Sequence, residues 1–468
     1  MEIKEGLAYS DVLLVPKKTP LNSRREADVT SKFTRNISLN VPLVSANMAT
    51  VTEHKMAIAM ARCGGIGVVH QFGTIDEQVA EVVKIKKSTS YVVASPRTAS
   101  PRLLLREALE IMKKEGISSL LITELDDLVG ILTSRDYVFR DDLEVSVSEI
   151  MTPVQSLIVG HTGVTLEEAK FLLQKHKIEK LPLVENGKLR GLITKRDIER
   201  LEAWPLANRD QRGRLRVAAA VGVKDTLERA QAVVAAGADV IVLDIAHCHS
   251  NLAIRRIREL KERFSVDVMA GNIATGEAAK DLIEAGADGL KVGIGPSPVC
   301  TTRVISGSGV PQFTAVLEVS KIAKQYGVPV TADGGMIYPG DVSKAIAAGA
   351  SSAFSGSLFA GTAEAPGYII MNEGKRYKKY MGSASYQSSH ERKENQERIQ
   401  VKERLDVFVE GVSKLVDYKG PVEEVIQSIV RGIQSGISYC GARNILEMQQ
   451  NAEFIRITSG GWTESLSR

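Results

Sequence analysis

The chain of 468 residues is 44% hydrophobic and 25% charged, with 39 glycines against 15 prolines. That is the composition of a folded protein of two to four domains, and it excludes a disordered tail or a mini-protein. Lys and Arg number 60 against 56 Asp and Glu, and a net charge of +4 over this length gives no ground for a nucleic-acid or anionic-membrane partner. The opening MEIKEGLAYS lacks the apolar stretch of a signal peptide, and no uninterrupted apolar run approaches the ~18 residues of a membrane helix. Cys63, Cys248, Cys300 and Cys440 lie far apart with no CxxC pair, which reads as a cytoplasmic chain with free thiols.

Two apolar runs, Pro42 to Asn47 and Gly65 to His70, read as strands before the pattern changes. A repeat then follows: Gly130-Ile-Leu-Thr-Ser-Arg-Asp136 recurs as Gly191-Leu-Ile-Thr-Lys-Arg-Asp197, 61 residues later. Each copy has a helical pattern (Leu105 to Lys114; Leu166 to His176), then an apolar run (Ile117 to Thr123; Ile178 to Val184), a turn and a second strand. Neither copy is large enough to bury both faces alone, so the two are expected to pack together. Residues 88–203 resemble a tandem of CBS domains. That resemblance implies a cleft for an adenine or guanine nucleotide effector, with Asp136 and Asp197 on the ribose hydroxyls. The competing reading of the same two residues is structural, a carboxylate at a helix start.

On either side of that insert the chain alternates strands with amphipathic helices, and three helices end in Ala-Gly-Ala: Ala236 to Ala238, Ala285 to Ala287 and Ala348 to Ala350. Glycine suits a helix C-cap, where the chain needs a left-handed residue before turning into the next strand. The further runs are Leu215 to Gly222, Val240 to Ile245, Val266 to Gly271, Gly289 to Gly293, Val328 to Asp333 and Ser352 to Gly356. Eight strands alternating with helices predict a (β/α)8 TIM barrel, residues 1–87 and 204–468, interrupted after its second unit by the CBS pair. A doubly wound sheet is the alternative, but no GxGxxG follows any strand.

In such a barrel the active site forms at the C-terminal ends of the strands. Those positions hold Asp244-Ile-Ala-His-Cys-His249, Gly271-Asn272, Gly293-Ile-Gly-Pro-Ser-Pro-Val-Cys-Thr-Thr-Arg303, Asp333-Gly-Gly335 and Gly356-Ser357. The last two lie where barrels of this kind hold a phosphate on backbone N–H groups. Cys300 stands out among the thiols: a Gly- and Pro-rich loop with two threonines and Arg303 is an exposed, cationic setting that favours a thiolate nucleophile. Cys63 and Cys440 read as packing residues. Cys248, between His247 and His249, offers only part of a zinc ligand set and reads instead as a loop facing ligand or solvent.

GIGPSPVCTTR, the Asp-Gly-Gly, Gly356-Ser-Leu-Phe-Ala-Gly-Thr362 and the C-terminal Asn451-Ala-Glu-Phe-Ile-Arg-Ile-Thr resemble the inosine-5′-monophosphate dehydrogenase and GMP reductase family over essentially the whole chain. The resemblance implies that Cys300 attacks C2 of IMP, that hydride passes to NAD+, and that the thioimidate is hydrolysed to XMP. Thr302 would contact the purine or the water, Asp333 the ribose, and Gly335, Gly356 and Ser357 the phosphate. Gly382 would lie in the purine-binding segment and Glu410 would contact the base. Asp244 and Asn272 would face the nicotinamide ribose and the substrate. Carbonyls of Gly293, Gly295 and Cys300 would hold a potassium ion, completed by Glu464 and Ser465 of a neighbouring subunit in a homotetramer that can stack to an octamer.

The polar stretch 374–404 contains almost nothing to bury and reads as a lid, within a mobile flap over about 374–420. By the same resemblance its Arg398, 12 residues before Glu410, is the base that activates water. Several positions depart from the dehydrogenases: Ile399 replaces the tyrosine beside the arginine, Pro298 stands where a phosphate-binding serine is expected, Tyr380-Met-Gly-Ser replaces the usual purine segment, and Asn47-Met48 is reductase-like. The first reading is therefore an NAD-dependent IMP dehydrogenase. The alternative is an NADPH-dependent GMP reductase using the same Cys300 with the Thr302 and Glu410 pair, and the third is a non-catalytic purine-nucleotide sensor.

Overall fold

The computed structural model describes residues 3–88, 92–93, 96–390 and 409–465. Eight parallel strands close into a barrel: β1 (Leu43–Ser45), β2 (Ile66–Val69), β3 (Ala218–Val221), β4 (Val240–Asp244), β5 (Asp267–Ile273), β6 (Gly289–Val292), β7 (Val330–Asp333) and β8 (Ser352–Ser355). The ring shuts where Phe354 of β8 pairs with Val44 of β1, so no strand edge is left open. Each strand coincides with one of the eight apolar runs, and closure excludes the doubly wound alternative. The runs are apolar without alternation because parallel barrel strands are covered on both faces: Val240, Ile241, Val242 and Leu243 are all fully buried.

The covering helices are α1 (His54–Arg62), α2 (Ile75–Lys87), α3 (Thr226–Ala235), α4 (Asn251–Arg263), α5 (Gly276–Glu284), α6 (Gln312–Gln325), α7 (Pro339–Ala347) and α8 (Val422–Tyr439). At the ends of α3, α5 and α7 the Ala-Gly-Ala motif acts as expected. Gly237, Gly286 and Gly349 take φ of +104°, +106° and +113°. The N–H groups of Ala238, Ala287 and Ala350 donate to the carbonyls of Val233, Leu282 and Ala345, the long bond of a Schellman cap. Each cap turns the chain directly into the next strand.

The chain divides into two compact units: Met1–Ser88, Leu206–Asp210 and Leu215–Arg468, which hold the barrel, and Thr89–Pro205 with Gln211–Arg214. Within the second unit the repeat is structural. Helices Leu105–Glu115 and Leu166–His176, strands Ser119–Glu124 and Lys180–Glu185, and strands Asp127–Thr133 and Lys188–Thr194 all keep the offset read from the sequence. Leu105, Leu120 and Leu132 belong to the core of the first copy, and Leu181, Leu183 and Ile193 to that of the second. A third cluster of Leu121, Leu128, Ile131 and Leu192 joins the two, as expected of halves that cannot bury both faces separately.

After β8 the chain adds an antiparallel sheet of β9 (Ile370–Asn372), β10 (Lys375–Met381) and β11 (Ser413–Asp417). This corrects the expectation that residues 374–404 bury almost nothing: Lys378, Tyr380 and Met381 are buried, as are Ser385, Ser388 and Ser389. A strand with charged residues on one face can still bury the other once a partner strand fixes its pleat. Among the described residues no helix is long and apolar enough to cross a membrane.

Candidate active site

An open cavity of about 180 Å³ sits at the C-terminal ends of the barrel strands. It brings together Cys300, Thr302, Asp333, Gly356, Ser357 and Glu410. Asp244, Asn272, Gly293, Gly295 and Gly382 line it too. Gly335 does not, although its neighbour Gly334 does.

Cys300 ends the loop that follows β6. Its N–H donates to the Ser297 carbonyl at 3.1 Å, and the loop is stitched to the segment before β11: Thr301 N–H donates to the Glu410 carbonyl at 2.8 Å and Val412 N–H to that of Val299 at 3.0 Å. Gly382 is required at this junction, because a Cβ there would stand 2.5 Å from the Val299 oxygen. The stitching sets a chain of polar contacts. Thr302 Oγ1 donates to Glu410 Oε2 at 3.0 Å and lies 3.1 Å from Cys300 Sγ. With the threonine proton committed to the carboxylate, the thiol is the donor to Oγ1, and a continuous path runs from Sγ–H to Glu410.

The expected cation, Arg303, lies three residues after this thiol; Cys300 is among the groups acting on its charge, while its Nε donates to the Ile294 carbonyl at 3.0 Å and its Nη2 to that of Val310 at 2.6 Å. It holds the loop, and Thr302 makes the contact to sulfur. The other cysteines are poor nucleophiles because burial disfavours their thiolates. Burial pushes Cys63 up to about 11 and Cys248 up to about 12, and it raises Cys440 as well. Cys248 itself is fully buried, in a loop whose Asp244, Ile245 and Ala246 line the cavity and whose His247 is exposed. Its neighbour His249 pairs through Nε2 with Asp281 at 2.8 Å, and among the described residues no group of three His, Cys, Asp or Glu could hold a metal.

The cavity floor holds a residue that the sequence reading missed. Lys291, the charged member of the apolar run Gly289–Val292, has a side chain only 3% exposed. Its Nζ lies 2.7 Å from Asp244 Oδ1 and 2.9 Å from Asp333 Oδ2, donates to Asn272 Oδ1, and sits 4.9 Å from the centre of the Phe354 ring. Burial works against the ammonium charge, but the two carboxylates outweigh it and raise its pKa above the usual lysine value. The same groups interlock further. Asn47 Nδ2 donates to Asp244 Oδ2 at 2.8 Å, and Asn272 Nδ2 donates to Asp333 Oδ2 at 2.8 Å and to the Gly293 carbonyl at 2.6 Å. Asp333 Oδ1 has no hydrogen bond among the described residues and is the oxygen left for a ligand.

At the β8 end, Gly356 leaves room for the Tyr380 hydroxyl: a Cβ on Gly356 would stand 2.6 Å from that oxygen and from Met48 Sδ. Burial raises the Tyr380 pKa, partly offset by a hydrogen bond with Ser297, so the phenol stays protonated as a donor. Ser297 lines the cavity despite Pro298 occupying the expected serine position. Lys419 backs the same loop, donating from Nζ to the carbonyls of Ser357 and Leu358 at 2.7 and 3.0 Å.

The Gly293 carbonyl accepts from Asn272 Nδ2 at 2.6 Å, and Gly293, Gly295 and Cys300, the three expected potassium ligands of this chain, all line the cavity. Glu464 and Ser465, expected to act from a neighbouring subunit, lie at the end of an exposed helix, Ser459–Glu464. Asp136 and Asp197 sit at helix starts. Asp136 Oδ2 accepts from Thr133 N–H and Oγ1 at 2.6 and 2.8 Å, and Asp197 Oδ2 accepts from Thr194 Oγ1 at 2.6 Å. Both therefore have the capping role that was the competing reading. Arg398 and Ile399 lie outside the described residues.

The sequence matches the family model described as IMP dehydrogenase / GMP reductase domain over residues 6–467. It is 48% identical to the inosine-5′-monophosphate dehydrogenase of Nitrosopumilus maritimus (strain SCM1), with 99% of this chain and 98% of that protein covered. To the GMP reductase of Leishmania major it is 44% identical, covering 99% and 96%. A cysteine-to-alanine variant of the Trypanosoma brucei GMP reductase, solved with guanosine 5′-monophosphate, matches at TM-score 0.87 and 42% identity over 99% of this chain and 98% of that one. The same reductase with guanosine 5′-triphosphate matches at TM-score 0.76 and 40% identity, covering 98% and 99%.

Proposed function

The chain belongs to the IMP dehydrogenase and GMP reductase family, and on that premise we propose that it is a GMP reductase, converting GMP to IMP and ammonia through a Cys300 thioimidate. The observation that carries this reading is the path from Cys300 Sγ through Thr302 to the Glu410 carboxylate. As Sγ attacks C2, the thiol proton passes along that path to Glu410. The C2–N bond then breaks, and the same proton returns to the departing amine, so thiol and GMP give thioimidate and ammonia with no net proton change. Reduced nicotinamide supplies the hydride that C2 takes up; with one further proton the C2–S bond breaks, releasing IMP and restoring the thiol. Asp333 Oδ1 suits the ribose, and Ser297, Ser357, Tyr380 and the backbone at Gly356 suit the phosphate.

The sequence reading placed the dehydrogenase first on a flap of dehydrogenase length with Arg398 in register with Glu410, and on the dehydrogenase-like strand 8 and C-terminus. That reading requires the arginine to deprotonate water without the neighbouring phenol, since Ile399 replaces it. The reductase needs only groups that are already hydrogen-bonded together, and Asn47, reductase-like in sequence, is anchored on Asp244. The dehydrogenase remains the second reading, favoured by the 48% identity to an archaeal relative of that name. We read residues 88–203 as the CBS pair with a purine-nucleotide effector, a reading supported by the repeat and by the guanosine 5′-triphosphate complex of the trypanosomal reductase.

The test is to incubate the protein with GMP plus NADPH and, separately, with IMP plus NAD+. NADPH consumption with ammonia release in the first is expected, and Cys300→Ala should abolish it. NADH formation in the second alone would reverse the assignment.

A further inference from the structure

We propose that Lys291 is a positioning residue that couples the two halves of the cavity, holding the Asp333 carboxylate on the mononucleotide side and the Asp244 carboxylate on the nicotinamide side with one ammonium group. The inference rests on the purine-nucleotide redox reading of this cavity and goes beyond it in assigning a role to Lys291, a lining residue to which that reading gives none.

The two carboxylates come from different strands, β4 and β7, and Lys291 comes from β6. Its distances of 2.7 and 2.9 Å put Asp244 Oδ1 and Asp333 Oδ2 no more than 5.6 Å apart. Two carboxylates so close repel each other unless a cation lies between them. The ammonium cannot drift toward solvent, because its side chain is 3% exposed and packs against the Phe354 ring. Asn272 ties the arrangement together, accepting from Lys291 and donating to Asp333. A ligand that draws on Asp333 therefore changes how much of the ammonium's attraction reaches Asp244, and the reverse holds equally. Such a shared counter-ion makes the two binding events interdependent, and by linkage the dependence is mutual.

The experiment uses GMP and NADP+ with Cys300→Ala as the background of every protein, the one that is wild type at position 291 included, so that no thioimidate forms and binding is read without chemistry. Calorimetry gives the Kd for GMP in the free protein and in the protein saturated with NADP+. In the wild type the two values should differ at least fivefold, and in Lys291→Met the ratio should fall below twofold. Lys291→Arg keeps the positive charge and hence the fold. Its planar fork is larger than an ammonium and sets its donors at different positions, so the division of charge between the two carboxylates changes and the ratio should shift at least twofold from wild type. A wild-type ratio within twofold of unity, or variants that retain the wild-type ratio, would overturn the coupling role while leaving the proposed reaction standing. If Lys291→Met does not fold, Lys291→Arg decides alone. A wild type that binds no GMP would remove the reading of the site and the role of Lys291 together.

Discussion

The path from Cys300 to Glu410 makes a quantitative claim about two residues acting as one. Thr302→Val keeps the shape of the side chain and removes the hydroxyl that lies 3.1 Å from the sulfur and 3.0 Å from the carboxylate. Glu410→Gln keeps the volume and removes the charge. A hydrogen bond to a charged group contributes about 1.5–3 kcal/mol, so each single variant should slow thioimidate formation by about 10- to 150-fold. The proton path is broken once by either change, so the double variant should be no slower than the slower single. The coupling energy of the cycle should then equal about one full single effect, about 1.5–3 kcal/mol. The assay is single-turnover ammonia release from GMP with enzyme in excess, which reports the thioimidate step apart from hydride transfer. Multiplicative effects in the double variant would refute the relay, because they would mean that Thr302 and Glu410 act on separate events. Thr302→Ser, which restores a hydroxyl, should recover most of the lost rate.

Two further outcomes follow from thiol burial and from capping. Because burial holds Cys63 near 11 and Cys248 near 12 and raises Cys440, little thiolate exists at these positions at pH 8. Iodoacetamide at that pH should therefore label the native protein once, at Cys300, as read by intact mass; two or more adducts in native protein would contradict this. Asp136→Ala removes a carboxylate that takes two hydrogen bonds from Thr133, so it should destabilise the second unit by about 1 kcal/mol. A lowered melting transition in protein free of nucleotide is the expected result. An unchanged transition would mean that the capping contacts contribute nothing to stability.

Much of the fold was legible in residue patterns because its causes are local. Apolar runs uninterrupted by polar alternation indicated strands buried on both faces, Ala-Gly-Ala marked three helix ends, and the 61-residue offset marked the insert. Cys300 could be singled out by its loop. Lys291 was legible only as an anomaly, one charge inside an apolar run, and its meaning depends on a side chain 42 positions away. Ser297 reaches the cavity because the loop after β6 turns it there, which the displaced Pro298 concealed. Arg303 could be read as a cation near the thiol, but closeness in sequence could not show that its guanidinium also holds the Ile294 and Val310 carbonyls.

The sequence by itself determined the kind of protein this is: an eight-fold barrel interrupted by a doubled module, with one cysteine suited to attack. Those features follow from periodicity, cap chemistry and residue type, all of which act over a few neighbouring positions. Only the tertiary structure decided which groups form the chemical apparatus. Barrel closure brings Asp244, Lys291 and Asp333 from three strands to one ammonium, and stitching the post-β6 loop to the segment before β11 places Glu410 on Thr302 across 108 positions. Hydrogen bonds and ion pairs depend on distances of about 3 Å. Contacts between residues so far apart along the chain are fixed only when the whole barrel closes.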